Sequence, residues 1–182
     1  MSLEFQSKLN QLLVLGKKNG LFFSDWLKKK GYSDQLIRKY RQSGWLSSLD
    51  KGVMYRTGDK LSAIVSLSCY NEQLEKEVRI AAHSALELFG FNHYVPMGKP
   101  ILMVACSCSI VPKWMLKDCF DRTFKVFSTK TIEIPQTSNI NIEGVNLLVS
   151  SPEQAFMECL LLAKDQYNYM DLYYIMEQLT SL

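Results

Sequence analysis

Apolar residues recur at helical spacing from the start of the chain. Phe5, Leu9, Leu12 and Leu13 predict a helix over about Glu4–Leu15. The run from Gly16 to Gly20 breaks it. Ser24 reads as the next N-cap, with Asp25 in the first turn, and opens a second helix to about Lys30 that Gly31 ends. Ser33 is a third N-cap. It starts a helix over about Asp34–Ser43, with Gly44 just past its end. Two short strand patterns follow, Trp45–Leu49 and Val53–Arg56, and Asp50-Lys51-Gly52 between them reads as a hairpin turn. Three helices and then a hairpin is the order of a winged helix-turn-helix.

Thr57–Lys60 reads as the exit from this unit. The boundary is expected near 60 to 65, giving domains 1–60 and 61–182. A helical pattern then spans Glu72–Phe89, with Val78, Ala81, Ala82, Ala85, Leu86 and Phe89 apolar and Gly90 as its stop. Strands are expected at about 100–106, 122–127, 131–134 and 145–149, with Asn141–Gly144 as the turn before the last. Ser151-Pro152-Glu153-Gln154 is a helix start, with Ser at N-cap, Pro at N1 and Gln at N3. That helix carries Ala155, Phe156, Cys159, Leu160 and Ala163, and a final helix spans about Tyr169–Leu179. The expected class is α+β: an N-terminal winged helix-turn-helix followed by a C-terminal mixed α/β domain. The longest apolar run, Ile101 to Val111, is too short to span a bilayer, and no secretory signal pattern opens the chain.

Charge sharpens this picture. Residues 1–60 hold twelve Lys/Arg against five Asp/Glu, a net of +7. Residues 61–182 hold nine against thirteen, a net of −4, and the two sum to the whole-chain +3. A basic N-terminal third on a mildly acidic body is the footprint of a polyanion partner. On a helical wheel, Leu36, Ile37 and Tyr40 of the third helix point one way, and Gln35, Arg38 and Gln42 point the other. Arg and Gln can form bidentate hydrogen bonds with guanine and adenine edges in a major groove. Lys39 and Arg41 on the flanks, Lys51 at the hairpin tip and Arg56 at its base are suited to phosphates or the minor groove. With Ser33 at the helix start, these eight are the expected DNA-binding residues. Lys17, Lys18 and Lys28–Lys30 could add phosphate contacts.

Elsewhere the candidate chemistry is thin. Five cysteines, Cys69, Cys106, Cys108, Cys119 and Cys159, lie mostly in apolar surroundings without a CxxC pair, and read as reduced thiols. Cys106-Ser107-Cys108 could offer half a metal site, but His83 and His93 do not sit at ligand spacing from it. His83 pairs most simply with Glu87 one turn on, and His93 falls in a loop. Asp118, Asp121 and Glu133 with Lys113 or Lys130 offer the residue types of a metal-dependent nuclease core, where carboxylates hold the ion and a lysine assists the water, yet the Asp…Glu-x-Lys pattern is absent. No phosphate loop and no GxSxG elbow is present. Neither a catalytic residue, a cofactor nor a metal is expected. Tyr167, Tyr169, Tyr173 and Tyr174 are expected to pack the end of the domain, with a dimer or partner surface as the alternative.

Several of these segments together carry a resemblance. They are Asn19 through Leu27, Gly31-Tyr32-Ser33 with Leu36, Ser43-Gly44-Trp45-Leu46 and Lys51-Gly52-Val53-Met54-Tyr55. Their order resembles the N-terminal winged helix of the AbiEi antitoxin family of type IV toxin–antitoxin, or abortive-infection, systems. Ala81 through Pro96 looks like that family's small-residue helix, and Val149 through Ala155 like its later helix start, with Gln154 where Arg is common. The resemblance spans nearly the whole chain. It implies a bacterial cytoplasmic regulator, monomer or homodimer, that binds double-stranded operator DNA and represses its own operon. It also implies functional pairing with a nucleotidyltransferase-type toxin without a stable complex. Two other classes compete: a module whose basic face binds an acidic protein, and a nuclease-like enzyme with a DNA-binding appendage.

Overall fold

The computed structural model describes residues 3–91, 98–106, 110–128, 136–166 and 169–179, apart from the side chains of 3–7, 164–166 and 171. The chain divides into two compact units, Met1–Lys76 and Glu77–Leu182.

The first unit begins with α1 (Leu3–Leu15), which buries Leu9 and Leu12. Strand β1 (Leu21–Phe23) follows, and then α2 (Ser24–Lys29) and α3 (Asp34–Gln42). Strands β2 (Leu46–Asp50) and β3 (Val53–Arg56) form the hairpin, and the sheet runs β1-β3-β2, all antiparallel. This is a winged helix. The apolar faces of its elements meet in one core of Leu9, Leu12, Phe22, Leu27, Tyr32, Ile37, Tyr40, Leu46 and Met54. The polar side of α3 is thereby left outside.

Several expectations need correction here. Ser24 is not the N-cap of α2: Phe23 holds that position, and the Ser24 amide donates to the Gly52 carbonyl at 2.8 Å. The competing element is β1, a three-residue strand, all buried, too short to show alternation in sequence.

The helix expected over Glu72–Phe89 is three elements. They are α4 (Ala63–Leu74), β4 (Arg79–Ile80) and α5 (Ala82–Leu88). Helix α4 is capped by Ser62, whose hydroxyl accepts from the Val65 amide, and it ends where Glu75 turns left-handed at φ 53°. Residues 61–70 are all buried, so α4 has no one-sided apolar stripe to betray it. It belongs with the first unit, because its Gln73 side chain completes the outer edge of β1. The Gln73 amide donates to the Leu21 carbonyl at 2.8 Å, and its oxygen accepts from the Phe23 amide at 2.9 Å. An edge expected near residue 60 falls one helix short of this unit.

The second unit is a five-stranded sheet ordered β6-β5-β4-β8-β7. Strands β5 (Ile101–Cys106), β6 (Thr123–Ser128), β7 (Thr137–Ile142) and β8 (Val145–Ser150) join the central β4. The strand expected at 131–134 lies outside the described residues. The turn before β8 is Glu143-Gly144, with both residues at positive φ, so Asn141 and Ile142 belong to β7. Helices α6 (Pro152–Gln166) and α7 (Tyr169–Leu179) follow. The Ser151 hydroxyl accepts from the Gln154 amide at 3.3 Å, as its N-cap reading requires.

A buried polar cluster ties this sheet to its helices. The Glu158 carboxylate, fully buried on α6, accepts from Arg79 Nη2 at 2.8 Å, the Ser150 hydroxyl at 3.1 Å and the Gln154 side chain at 3.2 Å. Its second oxygen accepts from the Ala82 amide at 2.9 Å. That bond caps α5, whose N-cap Ala81 has no capping side chain and whose first residue, Ala82, takes φ 49°. Cys69 and Cys159, both buried, and exposed Cys119 are outside any disulfide. Cys106 is disulfide-bonded, which corrects the reading of it as a reduced thiol.

Candidate nucleic-acid interface

The helix-turn-helix is shaped by three short-range devices. Gly31 takes φ +84° at the end of α2. Tyr32 turns inward, 4% exposed, and its hydroxyl donates to the Lys8 carbonyl at 3.1 Å. Ser33 then caps α3, accepting from the Leu36 amide at 3.3 Å. Ile37 and Tyr40 are buried below α3, and burial raises the phenols of Tyr32 and Tyr40 above their ordinary values. With that face fixed, Gln35, Arg38, Lys39, Arg41 and Gln42 are all exposed.

The wing rises beside α3. Asp50 pairs with Val53, so Lys51 and Gly52 form the tip, and a bulge lies between Ser48 and Asp50. Gly52 adopts φ +74°, and a Cβ there would stand 2.8 Å from Ser24 Oγ. The Asp50 carboxylate accepts from the Lys51 amide at 2.8 Å, which turns it toward the tip backbone. The Lys51 side chain is left exposed.

Between α3 and the wing lies an open groove of about 610 Å³. Gln35, Arg38 and Arg41 line it from α3, Lys51 from the wing tip and Lys28 from α2. Asp34 and Asp50 are its acidic members, and Lys28 pairs with Asp34 at 3.0 Å. Four cations therefore face two carboxylates, each carboxylate already engaged. The groove offers arginine forks, a glutamine amide and two lysines among its lining side chains.

The structure brings together four of the eight expected residues: Gln35, Arg38, Arg41 and Lys51. Lys39 and Gln42 are exposed on α3 but do not line the groove, and Ser33 serves as the helix cap. Arg56 is half-buried and turned away, with Nη2 donating to the Leu13 carbonyl of α1 at 2.7 Å. It closes the C-terminal end of α1. Lys17 is likewise occupied, by Ser68 at 2.9 Å and by Glu72, and Lys29 by Glu75 at 3.2 Å. Ser24 and Ser48 line the groove without having been anticipated. Their only signal is position: Ser24 follows β1, which was itself hidden, and Ser48 alternates outward on β2.

Among the described residues, no three His, Cys, Asp or Glu side chains gather as a metal site. Asp118 is paired with Lys99 instead, and Glu133 and His93 lie outside the described residues. No described helix is long and apolar enough to cross a membrane.

Comparison with known proteins agrees with this arrangement. Residues 5–97 match the family model described as "Transcriptional regulator, AbiEi antitoxin N-terminal domain". Residues 99–182 match "Transcriptional regulator, AbiEi antitoxin, Type IV TA system". No curated protein matches the chain. A winged helix with a basic groove, followed by a sheet domain that fits the second half of the same family, makes this chain a member of the AbiEi antitoxin family of type IV toxin–antitoxin transcriptional regulators.

Proposed function

We propose that this regulator binds a double-stranded operator beside its own gene through the groove between α3 and the wing, and so represses its own operon. The groove itself supports the reading. It combines two side chains suited to base edges, Gln35 and Arg38, with three further cations suited to phosphates, Lys28, Arg41 and Lys51. Lys39 and Gln42 extend that face along α3. Arg56 acts indirectly here, by holding the base of the wing to α1.

As a type IV antitoxin, the chain counters a nucleotidyltransferase-type toxin in the cytoplasm without forming a stable complex with it. The cation-lined groove favours DNA over an acidic protein partner, because its lining includes hydrogen-bonding forks, Arg38, Arg41 and Gln35, and not lysines alone.

Fluorescence anisotropy against an operator with each base pair changed in turn tests the assignment. Arg38→Ala should cost about 1–3 kcal/mol and relax preference at one or two positions. Lys51→Ala should weaken all sequences alike and lower the salt slope by about 1. Equal effects of the two substitutions on every sequence would contradict base reading by α3.

A further inference from the structure

We propose that Gln73 is a positioning residue for DNA binding: its buried side chain holds β1 from behind, and through β1 it fixes the tip of the wing. Its effect on DNA follows if the groove is the DNA site, as argued above.

Strand β1 is an edge strand of the first unit's sheet, with β3 as its one neighbour. An edge strand presents a row of backbone groups away from its neighbour, and these need partners when buried. On the β3 side, the Ser24 amide just past β1 donates to the Gly52 carbonyl at 2.8 Å. On the outer edge, the Gln73 amide donates to the Leu21 carbonyl at 2.8 Å and its oxygen accepts from the Phe23 amide at 2.9 Å. A primary amide carries a donor and an acceptor on one carbon, so it stands in for one residue of a fourth strand. A carboxylate would lack the donor and an ammonium the acceptor. Gln73 is 7% exposed, so opening these bonds leaves buried backbone groups unmet.

The hold reaches the groove in two steps. Strand β1 pairs with β3, and Phe23 lies opposite Val53, the first residue after the tip. The Ser24–Gly52 bond carries that ladder into the tip itself. There Gly52, at φ +74°, sits so close to Ser24 that a Cβ would stand 2.8 Å from its Oγ. Lys51, the groove's cation at the tip, is the next residue along the chain.

Two ion pairs flank Gln73 at the end of α4, Lys17 with Glu72 and Lys29 with Glu75 at 3.2 Å. The second joins side chains 65% and 81% exposed. Exposed pairs of this kind contribute little, so the buried amide carries the hold. Glu75→Ala is therefore the control, and should bind DNA as wild type does.

Full-length Gln73→Met, with a side chain of similar length and neither hydrogen bond, tests the assignment. Amide exchange at Ser24 should rise by about tenfold, the equivalent of roughly one net hydrogen bond, and stay as in wild type at Ile37 of α3. In anisotropy, binding should weaken on every sequence alike, the salt slope should fall by about 1, and the preference read by Arg38 should remain. Adding Lys51→Ala should weaken binding no further. An unchanged salt slope would make Gln73 purely structural and overturn its role in DNA binding. Losses that add to those of Lys51→Ala, or unchanged exchange at Ser24, would overturn it as well. Should Gln73→Met fail to fold, the wild type decides: its Phe23 amide should exchange as slowly as that of Ile37, and exchange at the rate of an open strand edge would overturn the hold. A wild type that binds no DNA, with Ser24 exchange raised in Gln73→Met, would support the hold on the wing and sink the DNA reading instead.

Discussion

Gly52 is constrained twice, by a left-handed backbone and by the Ser24 hydroxyl, which occupies the space a side chain there would need. Gly52→Ala should therefore cost about 1–3 kcal/mol in urea unfolding and weaken DNA binding beyond that, because the wing tip must shift off α2. Unchanged stability would show that the tip is not pinned. Glu158 is the other residue on which much depends. Glu158→Ala should cost about 3–5 kcal/mol, since it strands Arg79 without a counter-charge and uncaps α5. The double change Arg79→Met/Glu158→Met should cost less than Glu158→Ala alone. A purely additive double-mutant cycle would contradict that account.

At the scale of elements, capping and amphipathicity made α3 readable. Ser33, Gly44 and the Leu36/Ile37/Tyr40 face stand where the sequence places them. Ser33→Ala should lower stability by about 1 kcal/mol, measured by thermal or urea unfolding, with the loss centred on α3 in hydrogen exchange. Elements whose shape comes from tertiary contact were not readable. Strand β1 exists because β3 and Gln73 take up its backbone groups from both sides, and a three-residue strand carries no period of its own. Helix α4 is buried nearly all round, so its apolar pattern loses the face that marks a helix. The site was legible in part for the same reason. An exposed face of α3 can be derived from spacing, whereas the turning of Arg56 onto Leu13 needs the three-dimensional position of α1.

For the molecule as a whole, burial sets a pH limit on the first unit. It raises the Cys69 thiol and the Tyr32 and Tyr40 phenols above their ordinary 9.0 and 10.0. These groups are neutral in the fold and ionise more readily in the unfolded chain. Their contribution is thus full below pH 9 and is lost as pH rises past those ordinary values toward the raised native ones. Unfolding midpoints in urea should hold steady from pH 7 to 9 and fall above it, and a midpoint that rises there would contradict the sign. The central claim is that a regulator with a basic winged helix reads a defined sequence. It is tested most directly by a gel shift on the DNA immediately upstream of this chain's own gene, with excess random competitor, comparing wild type with Gln35→Ala/Arg38→Ala. Wild type should hold the upstream fragment against competitor and the double variant should not, with both folded. Equal displacement of wild type by upstream and random DNA would contradict operator reading by α3.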